Sequence, residues 1–514
     1  MRVVVIGNGI VGAGAAYYLT RRGATVTVVD GGYPGEATQA GAGIVCPWVD
    51  HPEDDDWYRL TREGARHYPG LVEELGEDIG YAKVGALLVA EDPVDLEPVR
   101  TLLRRRHPDA PEMGDIVDVP DPTELFPPLS DTLSAILVPG AARVDGRSVR
   151  DALLRAAVAR GAEVRTGAAS LSPDGQVFVH PPAGTGATWN GEWEVQPPEG
   201  TPAPQPPPGA GNAGAGAGSA DAGSGVAGAG AGRADVAGGT GAGGAGAGGA
   251  EADGAGAGAA GAAGGAGAGG AQTGGAGAGA AGGAGVGAVG GERRAGGGPV
   301  GSAGQEPAGG ETTSWRQAAP LAPTPTPPMD AGTRRFSGEG VPIEADMVIV
   351  AAGAWTGEVC RPLGVELPVF PRRGQILHAT MEGVDTAWWP MILPRMGPYL
   401  LGFPDSRVVI GATVEDVGFA PRVTMGGLDE VIQAGLRVAP GLYNATVAEA
   451  RVGLRPVYAP GSALIGPLTG RVVVATGLSA YGLTAGPFTG QIAAALALGE
   501  TPPIDITPYA PTKP

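Results

Sequence analysis

The run Gly7-Asn8-Gly9-Ile10-Val11-Gly12 constrains this chain more than any other segment. It follows Val3–Ile6, a β-branched run of the kind buried on both faces of a sheet. It opens Ile10–Arg22, which reads as a helix closed at Gly23 by a left-handed C-cap. Ala24–Asp30 (ATVTVVD) then reads as a second buried strand. Strand, helix and strand in such a short span pair in parallel through a right-handed crossover, so the chain opens on an α/β layer. Glycines at the first turn permit the turn itself, close approach of backbone to a pyrophosphate, and close helix–strand packing. The helix N-terminus adds unpaired N–H groups and partial positive charge, and Asp30 is placed to accept from ribose hydroxyls. The pattern points to a dinucleotide, with a ligand-free glycine turn as the alternative, and leaves NAD and FAD open.

The same grammar returns later. Arg147–Arg160 reads as a helix stopped by Gly161, Ala162–Arg165 as a strand, and Ala345–Ala352 (ADMVIVAA) as another buried strand. Between the last two lies a different kind of sequence. From Thr201 to Val300 there are 40 Gly and 33 Ala and no Phe, Trp, Tyr, Leu, Ile or Met. Such a segment buries too little apolar area to offset the entropy of ordering it, and its glycines lack the strict three-residue period of collagen. With its Pro-rich flanks it reads as a disordered insertion over 181–335, placed at a surface β-turn between Val179 and Ile343. Loop-closure entropy grows only logarithmically with length, so the fold tolerates it.

Charge and composition exclude several functions. The net charge is −19, which argues against nucleic acid and anionic lipid as partners. Cys46 and Cys360 are the only cysteines and make no disulfide framework; no Cys or His spacing suggests a metal. Asp54-Asp55-Asp56 reads as helix N-terminal charge, and Arg104-Arg105-Arg106 as a solvated helix face. Val3–Leu19 contains four glycines and no cleavage pattern, so it is not read as a signal peptide. Val472–Gly499 is uncharged, but its interior glycines and Pro487 favour a buried strand–turn–helix over a membrane span. The expectation is a soluble, cytoplasmic protein without an integral membrane segment; no oligomeric state follows.

Residues 370–447 have another texture. Gly374–Thr380, Tyr399–Phe403 and Arg407–Thr413 read as strands, the last two joined by the turn Pro404-Asp405-Ser406, and Leu428–Val438 as a helix. This antiparallel material does not extend a parallel sheet and implies a second domain. Strands ending in small residues recur at Val348–Gly353 and Val472–Gly477, which favours FAD over NAD.

These elements resemble the flavoprotein family that includes D-amino-acid oxidase, glycine oxidase, sarcosine oxidase and D-amino-acid dehydrogenase. The likeness runs through the Gly7–Gly12 turn with Asp30, Ala37–Gly43 (ATQAGAG), Ala352-Gly353-Ala354-Trp355 and Arg373-Gly374-Gln375. It continues through the Tyr399–Thr413 hairpin, Gly453-Leu454-Arg455-Pro456 and Gly477–Gly490, in the family's order.

The resemblance implies an α/β fold with an α+β second domain. A Rossmann-like FAD-binding domain (1–80, 145–180, 336–370, 448–514) carries an antiparallel-sheet substrate domain (81–144, 371–447). It implies non-covalent FAD held by Gly7, Gly9, Ile10, Val11, Gly12 and Asp30, and by the loop Thr38, Ala40, Gly41, Ala42, Gly43 and Ile44. Ala169 and Ser170 fall on the adenine side, with Ala352, Gly353, Trp355 and Gly374 along the cofactor, and Gly477, Tyr481, Gly482, Leu483 and Thr484 near the flavin. Cys46 is the one candidate for covalent attachment, a packed thiol being the default. Arg455 would bind a substrate carboxylate, an internal ion pair being the alternative. Tyr399 would help to hold it, unless it is an ordinary core aromatic; Trp388-Trp389 would line the substrate domain or pack.

The implied reaction is oxidation of the Cα–N bond of a small amino acid (a D-amino acid, glycine or an N-methyl or imino acid) by hydride transfer to flavin N5. The imine then hydrolyses to a 2-oxo acid, and oxygen or another acceptor takes the electrons. A quinone- or carrier-linked dehydrogenase and a non-catalytic dinucleotide-binding protein remain as alternatives.

Overall fold

The computed structural model describes residues 1–181, 339–395, 397–461 and 463–511. The Gly/Ala-rich insertion expected over 181–335 lies, beyond Pro181, outside the described residues.

The opening unit forms as the pattern dictates. Strand β1 (Arg2–Ile6) and strand β2 (Thr25–Asp30) pair in parallel around helix α1 (Ile10–Arg21), and Gly23 follows with φ 78°. β1 also pairs in parallel with Met347–Val350, which pairs with Val472–Thr476, while β2 pairs with Glu163–Thr166. Leu464–Pro467 closes one edge in antiparallel sense. The result is a six-stranded sheet whose central strands are buried on both faces, covered on one side by α1, Gly146–Val158 and Gly482–Ala497. α1 lies close to the last of these: a Cβ on Gly490 would come within 2.6 Å of the Ala15 nitrogen. Val472–Gly499 is therefore a strand, turn and helix, and among the described residues no helix is long and apolar enough to cross a membrane.

The second sheet has eight strands, in the order Thr446–Tyr458, Val369–Thr380, Arg407–Gly411, Tyr399–Phe403, Met391–Pro394, Ala86–Ala90, Ser134–Val138 and Val117–Val119. It is antiparallel apart from one pair, Met391–Pro394 with Ala86–Ala90. Two boundaries drawn from the sequence, 370/371 and 447/448, fall inside its two longest strands, which run side by side from Val369↔Tyr458 to Thr380↔Thr446. The helix read from Leu428 begins earlier, at Met425, because Thr424 caps it by accepting from the Gly427 N–H.

A small third sheet marks where the insertion leaves the fold. Val177–His180 pairs with Ala168–Leu171 on one side and Val341–Ile343 on the other, with Val179 opposite Val341. The two ends of the 182–338 segment thus leave from neighbouring antiparallel strands, where the hairpin turn was expected.

Candidate active site

A cavity of about 750 Å³ runs from the β1–α1 turn to the eight-stranded sheet, within the size range of cofactor and ligand sites. Gly7, Gly9, Ile10, Val11 and Asp30 line one end. Gly7 sits at φ 102°, and a Cβ there would stand 2.4 Å from the Ala351 carbonyl oxygen, so no other residue fits this turn. Gly12 is the exception among the residues expected at the cofactor, because it does not line the cavity. A Cβ at Gly12 would come within 1.9 Å of the Gly7 carbonyl oxygen, and its role is to let α1 press against the turn. Asp30 accepts from the Asn8 N–H at 2.9 Å and the Gly32 N–H at 2.7 Å, which fixes its carboxylate at the wall.

The loop after β2 forms the next part of the wall, through Thr38, Ala40, Gly41, Ala42, Gly43 and Ile44. Thr38 Oγ1 accepts from the Ile10 N–H at 3.0 Å, tying this loop to the start of α1. Ala169, Ser170, Ala352, Gly353 and Trp355 line the opposite side, and Ser170 hydrogen-bonds His180 at 2.7 Å. Glu36 also faces the cavity; burial, reinforced by the charge of Asp30, pushes its carboxyl above the usual range. Cys46 is buried at the wall, and desolvation pushes its thiol up, away from a reactive thiolate.

Gly477, Tyr481, Gly482, Leu483 and Thr484 supply the far wall. They are the turn and first residues of the helix Gly482–Ala497, which no side chain caps; α1 has no side-chain cap from its Gly9 N-cap, although Thr38 Oγ1 takes its Ile10 N–H. Two helix N-termini therefore bring main-chain donors to one cavity, the donor set an anionic dinucleotide needs. Gly353 and Gly482 also have open space where a side chain would stand, so a flat group can approach the backbone there. The residues present fit FAD.

Arg455 and Tyr399 line the same end as Gly374. The half-buried guanidinium lies across Gly374, where a Cβ would stand 2.3 Å from both terminal nitrogens. Its Nη1 donates to the carbonyl oxygens of Thr413 at 3.0 Å and Arg373 at 3.2 Å. The internal ion pair weighed as an alternative is absent: among the described residues no carboxylate pairs with Arg455. Glu415, which grows from the adjoining loop, is committed to Arg373, Gln375 and Thr413, and this set holds its carboxyl low against the upward push of burial. Tyr399 lines the cavity with Arg455; burial raises its phenol and the guanidinium opposes that rise. Trp388 and Trp389 do not line the cavity: Trp388 is exposed, and Trp389 packs on Phe126 at 4.5 Å between ring centres.

Two groups at the site escaped the sequence reading. Asp50 lines the cavity and accepts from the Tyr481 hydroxyl at 3.1 Å. Arg106, read as part of a solvated face, is only 4% exposed. It donates to the carbonyl oxygens of Trp48 at 2.9 Å, Asp50 at 2.7 Å and His51 at 2.8 Å, and its guanidinium stacks on Tyr58 at 4.0 Å. It thereby clamps the loop that carries Asp50. Asp54 caps the following helix by accepting from the Trp57 N–H, with Asp55 and Asp56 in its first turn, as their position suggested.

A parallel sheet with a glycine turn, facing a largely antiparallel sheet across a cavity that ends in a fixed cation, defines a dinucleotide-dependent oxidoreductase. The comparisons sharpen this. The profile of the DAO family, FAD dependent oxidoreductase, matches residues 2–190 and 329–496. The uncharacterized oxidoreductase YurR of Bacillus subtilis is 31% identical over 99% of this chain and 98% of its own length. Glycine oxidase of Pseudomonas putida is 34% identical over 33% of this chain and 46% of its own. Among solved structures, iminodiacetate oxidase from Chelativorans sp. BNC1 is similar with a TM-score of 0.67 and 32% identity, covering 99% of both chains. Glycine oxidase from Geobacillus kaustophilus shares the fold, with a TM-score of 0.60 at 17% identity. The chain belongs to the DAO family of FAD-dependent oxidoreductases.

Proposed function

We propose that this protein oxidises the Cα–N bond of a small amino acid, with Arg455 and Tyr399 binding the substrate carboxylate. The observation that carries the reading is a guanidinium at the cavity wall, braced by two main-chain carbonyls, with Tyr399 on the same wall and no acid of the described protein to neutralise it. A half-buried cation of this kind is poised for an anionic ligand, and its planar fork matches a carboxylate. Bound FAD would supply a two-electron acceptor for the Cα hydride; with loss of the proton on nitrogen the substrate would become an imine, which water splits into a 2-oxo acid and ammonia or an amine. The protein's part is to hold the carboxylate in one place so that Cα faces the cofactor, and orientation of this sort supplies much of the rate. The uncapped N-terminus of the helix Gly482–Ala497 offers main-chain donors where negative charge collects. The β1–α1 turn, Asp30 and the Thr38–Ile44 loop would hold the rest of the cofactor, non-covalently, since the one nearby thiol is buried and protonated.

Similarity to iminodiacetate oxidase across nearly the whole chain favours, within this class, a secondary amine of the N-substituted glycine type. Arg395 is in keeping with this, since it lines the cavity on the turn before Tyr399 and has no ion-pair partner among the described residues. The test is a panel of D-amino acids, glycine, N-methylglycine and iminodiacetate mixed with the holoenzyme without oxygen. Bleaching of the flavin band by at least one of them is expected, and a flavin that none of them reduces overturns the reading. Peroxide formed on admitting air separates an oxidase from a carrier-linked dehydrogenase.

A further inference from the structure

We infer that Asp50, held by Tyr481, is the acceptor for the substrate's ammonium group, which makes the pocket a zwitterion site rather than a carboxylate site alone. The inference rests on the reading of Arg455 above.

Asp50 lies on the loop that follows the Thr38–Ile44 wall, and both it and Tyr481 face the cavity. One carboxylate oxygen, Oδ2, accepts from the Tyr481 hydroxyl at 3.1 Å, and among the described residues no donor reaches Oδ1. Nor does a cation of the described protein pair with it. Two guanidiniums lie beside this loop: Arg105 donates to the Pro52 carbonyl, and Arg106 points its N–H groups at main-chain carbonyls, including that of Asp50 itself, and its face at Tyr58. Arg106 feels the Asp50 charge as a minor pull, behind burial and Tyr58; Cys46 and Tyr481 are neutral neighbours, both pushed up by burial, with the Asp50 charge adding to each shift. The cavity therefore presents an unpaired anion as well as an unpaired cation. Both groups are half-buried, and a partly desolvated charge without a counter-ion favours a ligand of opposite sign.

Both charges belong to the same end of the cavity. Tyr399 and Tyr481 pack against one hydrophobic cluster that contains Cys46, Val49, Trp57 and Leu88, whereas the β1–α1 end packs on a different core. Leu478, which begins the turn leading to Tyr481, bridges Val457, two positions beyond Arg455 on its strand. A small amino acid is a carboxylate and an ammonium group separated by one carbon, and a wall offering guanidinium on one side and carboxylate on the other selects that pattern over a simple acid. The Arg106 clamp explains why a loop can hold Asp50 in place: it fixes the main chain on both sides of the residue.

The experiment uses two isosteric ligands the enzyme cannot oxidise, betaine (N,N,N-trimethylglycine), which carries a fixed positive charge, and 3,3-dimethylbutanoate, which does not. Their affinities for the holoenzyme are measured by calorimetry. Wild type is expected to prefer betaine by about tenfold, from charge attraction alone, since the quaternary nitrogen has no N–H to donate. Asp50→Asn is expected to abolish that preference while leaving 3,3-dimethylbutanoate unchanged; Asp50→Glu retains it, and Tyr481→Phe, which frees the carboxylate, reduces it. Equal affinities in wild type, or a preference that survives in Asp50→Asn, overturns the inference. If Asp50→Asn fails to fold, the Asp50→Glu and Tyr481→Phe pair decides, and an unchanged preference in Tyr481→Phe counts against it. Arg455→Ala separates the two readings: it should weaken both ligands alike, and if it weakens neither, the carboxylate site itself is misassigned.

Discussion

Gly374→Ala tests the site without removing any of its functional groups. The added Cβ would stand 2.3 Å from Nη1 and Nη2 of Arg455 and 2.4 Å from its Cζ. Ordinary contact lies near ~3.5 Å, so the guanidinium must retreat by about 1 Å. The atoms in the way are the end of a flexible side chain, and Gly374 itself pairs with Gly453 in an undisturbed ladder, so the sheet should persist and flavin should stay bound. The retreat breaks the bonds from Nη1 to the Thr413 and Arg373 carbonyls and carries the fork out of register with the substrate carboxylate. A misplacement of that size costs on the order of 10²-fold in rate, roughly 3 kcal/mol of transition-state stabilisation. Anaerobic stopped-flow measurement of flavin reduction against substrate concentration gives the number, with flavin content and melting temperature as controls. The double variant Gly374→Ala/Arg455→Ala should be no slower than Arg455→Ala alone, because both act through one guanidinium. A kcat/KM for Gly374→Ala within a factor of about two of wild type would refute the reasoning, as would additive losses in the double variant.

Replacing Arg106 with Met strands the carbonyls of Trp48, Asp50 and His51, at roughly 1–3 kcal/mol each. A lower urea midpoint, together with weaker betaine binding than in wild type, is the expected result. Gly7→Ala puts a Cβ against the Ala351 carbonyl at a positive φ, so the purified protein should carry little flavin; a full flavin-to-protein ratio counts against the turn as the cofactor's seat. His378 is 2% exposed with neither ring nitrogen partnered among the described residues, and burial, followed by the nearby charges of Arg451 and Arg407, lowers its pKa to about 4 from 6.5. The unfolded chain therefore binds a proton between those values that the folded chain refuses. Stability should fall as pH drops from about 6.5 toward about 4, by up to roughly 3 kcal/mol, and level off below. Urea titrations across that range should show a shallower fall for His378→Leu, and an identical pH slope contradicts the assignment.

What could be read from the sequence was what local pattern reports. The glycines at Gly7 and Gly9 and the β-branched runs around them declare backbone geometry within a few residues, and α1 and β2 follow within a residue of their expected ends. Val348 and Val472 announced strands of the same sheet because strands buried on both faces are apolar throughout. The Thr38–Ile44 loop, Tyr399 and Arg455 came into view only through family resemblance, since nothing in a Gly-Leu-Arg-Pro run shows which way the arginine points. Arg106 was misread because in sequence it cannot be told from Arg104 and Arg105, while in the fold it alone of the three is buried, against the carbonyls of a loop more than fifty residues earlier. The Asp50–Tyr481 bond spans 431 positions, and no periodicity or spacing joins residues so far apart.

The pairing of Val177–His180 with Val341–Ile343 has a practical consequence. Since Val179 and Val341 already sit opposite each other, the chain beyond His180 and before Val341 can be exchanged without moving either strand, at a closure cost that varies only slowly with length. That makes the junction a natural splice point for a reporter module. Because His180 and its partner Ser170 both border the cavity, a reporter spliced there would be joined directly to a strand that lines the cofactor site.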